Sequence, residues 1–361
     1  MELINIKPCN NTFFGDGHQF NFGISNFIRS KNTPFPSVFF GAIFTAILSK
    51  NDDFRYEFIN RNKYDHERIL KLYQVYLYNE DTKEVFIPAP KDLFVNSNGK
   101  KEFGTFKVID SELYSLSFKR ILRCPMDRDF KRVGNEYINI NNIYDAYAKK
   151  QEVRIKLKDE SDIFVKNNKI GIGVNKDTKS VEESKLYKIE QTEFIGSGWS
   201  YVVEYEVDKD YLNKEYKEID VKCLDFGYLK LGGEGKVCKY KRITNSSIEK
   251  FNKDRHKMLY GNIFKILFTS DTYFYESIDK VFSGEIKIIG MSNDKPIYIG
   301  GFDMQRSKGQ QRKMYKGYPA GTVIIVEVIN DSLETRDLIK NKMNNFNSKG
   351  FNQYVVIEGG C

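Results

Sequence analysis

Apolar positions along this chain fall mostly into short alternating runs, with few stretches at helical spacing. Leu3, Ile4 and Ile6 mark a first strand that stops at Pro8. A polar, glycine-bearing loop follows and runs into "FPSVFFGAIFTAILSK", whose near-continuous apolar character predicts a buried helix over about 36–50. Ser37 or Thr33 is its expected N-cap and Asn51 its stop. Its most apolar part, Val38 to Leu48, is eleven residues long, too short to cross a bilayer. "LKLYQVYLY" (70–78) and "EVFI" (84–87) read as strands that end at the breaker "PAP".

Between about 100 and 210 the pattern becomes β-rich, with many lysines and glycines. "VRIKLK" sets Val153, Ile155 and Leu157 against Arg154, Lys156 and Lys158, a period-two pattern with one basic face. "KIGIGVN", "SKLYKIEQTEF" and "SYVVEYEV" supply further strands, the last two separated by the turn "IGSGW". Residues 225–243 end in another basic strand. From 260 apolar strands resume in "IFKILFTSDTYFY", "EIKIIG", "KPIYIGG" and "GTVIIVEV", followed by a polar helical stretch and a last strand, "QYVVIEG". Many strands, few helices and short turns predict an α+β fold and not a doubly wound sheet. The polar "TNSSIEKFNKDR" (244–255) is the expected linker, which puts the domain boundary near 248: residues 1–247, with a β-rich insertion at about 100–210, and residues 248–361.

Composition supplies enough apolar material for two cores: 40% hydrophobic residues in 361, with 28 Phe and 23 Tyr. The 57 Lys and Arg against 49 Asp and Glu leave a net charge of +8, which suits an anionic partner without proving one. Five cysteines, at 9, 124, 223, 238 and 361, contain no C-x-x-C spacing and form no even set. They predict reduced thiols, not a zinc site or a disulfide framework. "MELINIKPCN" lacks the basic and apolar regions of a signal peptide, so a cytoplasmic location and no membrane association are expected.

The motifs narrow the chemistry by exclusion. "GIG" at 171–173 opens no helix, and no P-loop pattern exists. "LGGEG" (231–235) resembles the Gly-Gly-acid hairpin of nucleotide cyclases, yet Lys236 beside Glu234 opposes a metal site. The same loop suits close approach to a phosphate backbone through its amides, or simply a tight turn between strands. Three histidines, His18, His66 and His256, would have to supply any imidazole acid–base chemistry. His18 lies beside Asp16 in a loop, His66 at a surface helix position and His256 in the linker. The basic loop after 301 is richer: Arg306, Lys308, Arg312, Lys313 and Lys316 are interleaved with Gln305, Gln310, Gln311 and Tyr315. Such cations neutralise phosphates while Tyr and Gln meet unpaired bases; an acidic protein surface would satisfy the same charges.

Five stretches, taken in order, resemble one family: "IKPCNNTFFGDGHQF", "FPSVFFGAIFTAIL", "IGVNKDTKSVEESKLYKIEQTEF", "LGGEG" and "GFDMQRSKGQQRKMYKGYPAGTVIIVE". The chain is similar to the third subunit of the Cmr complex, the type III-B CRISPR RNA-guided effector, within the RAMP superfamily. The resemblance implies two ferredoxin-like (RRM-like) domains, the first with a β-hairpin thumb. It further implies a non-catalytic, cofactor-free subunit. That subunit holds the 5′ tag of the CRISPR RNA and bridges the large polymerase-like subunit to the backbone RAMP subunits.

By position, the resemblance puts His18, Gln19, Asn26, Arg29 and Lys31 on the tag-binding face. It puts Arg154, Lys156, Lys169, Lys176 and Lys179 in the thumb region, and makes Gly232, Gly233 and Lys236 part of the RAMP glycine loop. Arg306, Lys308, Arg312 and Lys313 complete the expected RNA contacts. Where the family commonly shows an Arg-Asp-Gly-Arg-like opening, this chain has Gly15, Asp16, Gly17 and His18, leaving the charge to Arg29 and Lys31. Three alternatives stay open: a metal-independent RAMP endoribonuclease using His18, a scaffold that binds only protein, and the equivalent type III-A subunit.

Overall fold

In the computed structural model of this chain the first strand, Glu2–Pro8, lies between Trp199–Val207 and Val237–Ile243, antiparallel to both. The structure describes residues 1–361 other than 16–26, 61–64, 109–117, 126–128, 149–153, 176, 217–223, 256–260, 301, 304–309, 312, 330–334, 344–347 and 359–361. The fold is α+β with antiparallel sheets, divided into two units. The first comprises Met1–Leu72, Tyr78–Thr82 and Ser161–Ile243; the second comprises Tyr73–Leu77, Lys83–Glu160 and Thr244–Cys361. The stretch 100–210 is therefore shared between the two.

In the first unit Phe226–Lys230 flanks Val237–Ile243 as the terminal strand. Ile4, Ile6, Tyr201, Val203 and Tyr240 are buried at alternating positions of these strands. The helix Pro36–Lys50 packs on that face, and Phe39 meets the Tyr201 ring edge-on at 5.2 Å. Its N-cap is Phe35, without a side-chain cap, and not Ser37 or Thr33 as expected. Pro36 occupies the first helical position, where its fixed φ starts the helix, and a residue before proline is held extended; no side-chain acceptor is needed. Asn51 ends the helix as expected, its side-chain amide donating to Ile47 O at 3.1 Å.

A long hairpin, Phe164–Val174 with Val181–Phe194, extends the first unit and carries the short parallel strand Phe27–Ile28 on its edge. His66, expected on a surface, instead lies against the first helix, its ring 5.7 Å from Phe40 and 6.0 Å from Phe44. Helical spacing alone does not say which face of a four-residue helix turns inward.

In the second unit the sheet order is Ile286–Ser292, Val323–Val328, Ile263–Phe268, Tyr354–Glu358. Helices Ile278–Val281 and Thr335–Met343 bury Ile278, Leu338, Ile339 and Met343 against Phe264, Ile266 and Val326. Between those inward residues Lys265 turns to the opposite face, where its ammonium lies 3.1 Å from the fully buried Asp92. Tyr147 donates its hydroxyl to the same carboxylate. Phe106 closes on Gly290, where a Cβ would stand 2.9 Å from its ring. Segment 83–160 thus covers the face that the helices leave open.

The expected linker 244–255 is a helix, Ser246–Asp254, capped by Asn245 Oδ1, which accepts from Ile248 N at 3.1 Å. Ile248 and Phe251 are its buried stripe. Two apolar residues three apart suffice to dock a helix of this length, and the surrounding polar residues hide the pattern. Among the described residues no helix is long and apolar enough to cross a membrane.

Candidate nucleic-acid interface

The glycine loop turns Phe226–Lys230 back into Val237–Ile243. Leu231 donates its N–H to Lys236 O at 2.9 Å, closing the turn. Gly232 has φ +78, and a Cβ there would stand 2.5 Å from Phe13 O and 2.8 Å from the Phe14 ring. Gly233 presses on the Phe13 ring and donates its N–H to Phe13 O at 2.9 Å. The close approach that these glycines permit is therefore to the chain's own residues 13–14. The Gly233 amide expected to face a phosphate is engaged by a protein carbonyl.

Glu234, at the tip of this loop, brings two expected RNA-binding lysines together. Lys169 of the long hairpin lies 3.3 Å from its carboxylate and Lys236 lies 3.6 Å away. Gln191 donates to the same group at 2.6 Å. One carboxylate thus gathers two ammonium groups and leaves a net positive charge. Among the described residues no group of three His, Cys, Asp or Glu stands close enough to hold a metal ion.

Arg29 and Lys31 flank buried Ser30, and the contacts around Ser30 fix both. Phe14 N donates to Ser30 Oγ at 3.0 Å, and Lys31 N donates to Phe14 O at 2.8 Å. Lys166 donates to Ser30 O at 2.5 Å and to Thr192 Oγ1 at 3.0 Å, with Glu190 at 3.1 Å balancing its charge. The Arg29 guanidinium lies 5.8 Å from the centre of the exposed Phe27 ring, and Lys188 approaches the same ring at 5.3 Å. Lys31 stands over Phe35 at 3.5 Å. Cations held over aromatic faces form a surface that meets both phosphate and base. Sequence reasoning singled out Arg29 and Lys31 and did not name Phe27 or Lys188. Lys188 reaches Phe27 through the parallel strand pairing, and a contact between positions so far apart in the chain has no local signal.

The other expected residues are dispersed. Lys179 sits exposed at the tip of the long hairpin with φ +56, its N–H donating to Asn175 O at 3.0 Å. Arg154 and Lys156 belong to the second unit, where Arg154 is exposed and Lys156 pairs with Glu84. Among the described residues of the expected "VRIKLK" strand, 154–158, only Leu157–Lys158 is in a sheet. Also in the second unit, Lys313 lies 5.5 Å from the Tyr315 ring, which meets Tyr273 at 5.4 Å and Tyr275 at 5.3 Å. Lys316 is the cross-strand partner of half-exposed Tyr298. His18, Gln19, Asn26, Lys176, Arg306, Lys308 and Arg312 lie outside the described residues.

Residues 4–358 match the family model of the CRISPR-associated protein Cas_Cmr3. The chain belongs to the Cas_Cmr3 family. No curated protein matches it. Its fold resembles a chain in the cryo-EM structure of the Type III-B Cmr-beta bound to cognate target RNA and AMPPnP. That likeness has a TM-score of 0.51 at 15% identity and covers 96% of this chain and 90% of that one. A chain in the Type III-B Cmr-beta bound to cognate target RNA is similar at 16% identity, with a TM-score of 0.48 over 90% of this chain and 86% of that one.

Proposed function

We propose that this Cas_Cmr3 member is a non-catalytic RNA-binding scaffold subunit of a type III-B CRISPR effector complex in the cytoplasm. It holds the 5′ tag of the CRISPR RNA and bridges the large polymerase-like subunit to the backbone RAMP subunits. Both units are read as ferredoxin-like domains. Two β-α-β-β-α-β successions along the chain, starting at Glu2–Pro8 and at Ile263–Phe268, have the sheet order second, third, first, fourth strand, and the long hairpin 164–194 is read as the thumb.

The observation that carries the RNA reading is the clamped Phe27–Lys31 segment, with Arg29 and Lys188 beside the exposed Phe27 ring and Lys31 over the half-buried Phe35. Arg29 and Lys31 neutralise phosphates, and Phe27 offers a face to a splayed base. The guide is left free to pair with its target.

Pull-down of the chain from its assembled complex, followed by sequencing of the bound small RNA, is expected to return tag-containing CRISPR RNA. Charge reversal at Arg29 and Lys31 should abolish crosslinking to the tag; undiminished crosslinking overturns the assignment. Purified chain incubated with repeat RNA in EDTA should leave it intact. Cleavage lost on His18→Ala would replace this reading with the ribonuclease one.

A further inference from the structure

The hairpin Phe226–Lys230/Val237–Ile243 carries a surface that the tag reading does not use. Its inward residues, Leu229, Cys238 and Tyr240, are buried. Its outward residues alternate aromatic and basic: Phe226 pairs across the strands with Lys241, Tyr228 with Lys239, and Lys230 with Val237. Cross-strand partners share a face of the sheet, and residues two apart on one strand stand about 7 Å from each other. Phe226 is 76% exposed and Tyr228 66%, so neither ring contributes to the core.

The charges on this face are unevenly matched. Lys241 lies 3.4 Å from Glu80, which also holds Lys7 at 2.8 Å, so one carboxylate serves two lysines. Asp225 is drawn to Arg242 at 3.8 Å. Lys230 and Lys239 have no carboxylate partner among the described residues. Lys50, from the helix on the opposite face, reaches the edge of this strand, donating to Phe226 O at 3.1 Å.

We propose that this face is a second single-stranded RNA site, with Phe226 and Tyr228 stacking on bases and Lys230, Lys239 and Lys241 tracking the phosphates. Two exposed rings side by side call for a covering group, and the lysines beside them select its chemistry. Lysine is depleted from the cores of protein interfaces, whereas rings set among cations are the recurring plan of sequence-tolerant single-strand binding. Binding here is independent of base identity, because every base has a face to stack. The inference does not rest on Arg29 or Lys31 holding the tag.

The test uses the full chain with Tyr228→Trp. The one native tryptophan, Trp199, is buried, so fluorescence change reports on the new ring. Titration with a short oligouridylate is expected to quench it. Phe226→Ala with Tyr228→Ala should weaken oligouridylate binding about tenfold or more without moving the melting temperature. Heparin, a polyanion without bases, should bind that variant as well as it binds the parent. The quench should persist when Arg29 and Lys31 are reversed in charge, which separates this site from the tag site. Absence of quenching by RNA overturns the proposal, as does an equal loss of heparin and RNA affinity. A signal from the introduced indole that responds only to added partner subunits also overturns it, and marks the face as a protein-docking surface.

Discussion

Gly232 and Phe13 approach so closely that no side chain fits between them: a Cβ at Gly232 would lie 2.5 Å from the Phe13 carbonyl oxygen. This contact holds the loop after the first strand against the glycine turn. Phe14, next along that loop, in turn binds Ser30 and Lys31. The glycine loop therefore acts on the candidate RNA surface by bracing it from behind.

Gly232→Ala combines a left-handed φ with a backbone clash, so it should destabilise the full chain by more than about 1 kcal/mol in chemical denaturation. Gly235 also has positive φ, +64, but a Cβ there meets nothing within 4 Å. Gly235→Ala should cost less. Equal costs at the two positions would mean that the Phe13 contact is not formed.

Replacing Arg29 and Lys31 together by Ala should weaken binding to tag RNA and flatten its salt dependence. If each neutralises one phosphate of a single strand, the slope of log K against log salt should fall in magnitude by about 1.4. Isothermal or anisotropy titrations at several salt concentrations measure this. An unchanged slope would show that neither side chain meets a phosphate.

Glu80 links the first unit's stability to pH. Burial pushes its carboxyl upward, but the hydrogen bond from Lys7 and the charges of Lys7 and Lys241 outweigh it, and the net shift is below 4.5. A carboxyl depressed on folding stabilises the protein above its ordinary value, and that contribution is lost as pH falls through the folded value. Glu80→Gln should therefore lower the melting temperature near neutrality. The difference from the parent should close as pH drops below about 4.5. A difference that is constant across this range would contradict the coupling.

Strand positions in this chain were largely legible because their apolar residues alternate locally, as in Leu3–Ile6 or 70–78. What the sequence obscured depends on contacts between distant residues. Ser30 is an unremarkable serine until Phe14 N and Lys166 converge on it. Lys169 and Lys236 look like independent phosphate contacts until Glu234 is found between them. The amide of Gly233 suggested an anion cradle because a glycine signals close approach without saying to what. Nothing local marks Phe226 and Tyr228 as outward-facing, since alternation does not say which face is inside.

The segment 244–255 shows the same difficulty in a form that stability can decide. Its polar composition suggested a linker, yet Asn245 caps a helix whose Phe251 lies 5.7 Å from Tyr144 and 6.4 Å from Tyr76. Arg255, at the end of that helix, donates to Tyr354 O at 2.9 Å. Asn245→Ala removes an N-cap acceptor and should cost about 1 kcal/mol. Ile248→Ala empties a buried site and should cost about 2–5 kcal/mol. Both are measured by denaturant unfolding of the full chain, with proteolysis at 244–255 as a second readout. In a linker neither substitution would change stability and cleavage would be rapid in the parent. In a docked helix the parent resists cleavage, and Ile248→Ala opens the segment to it.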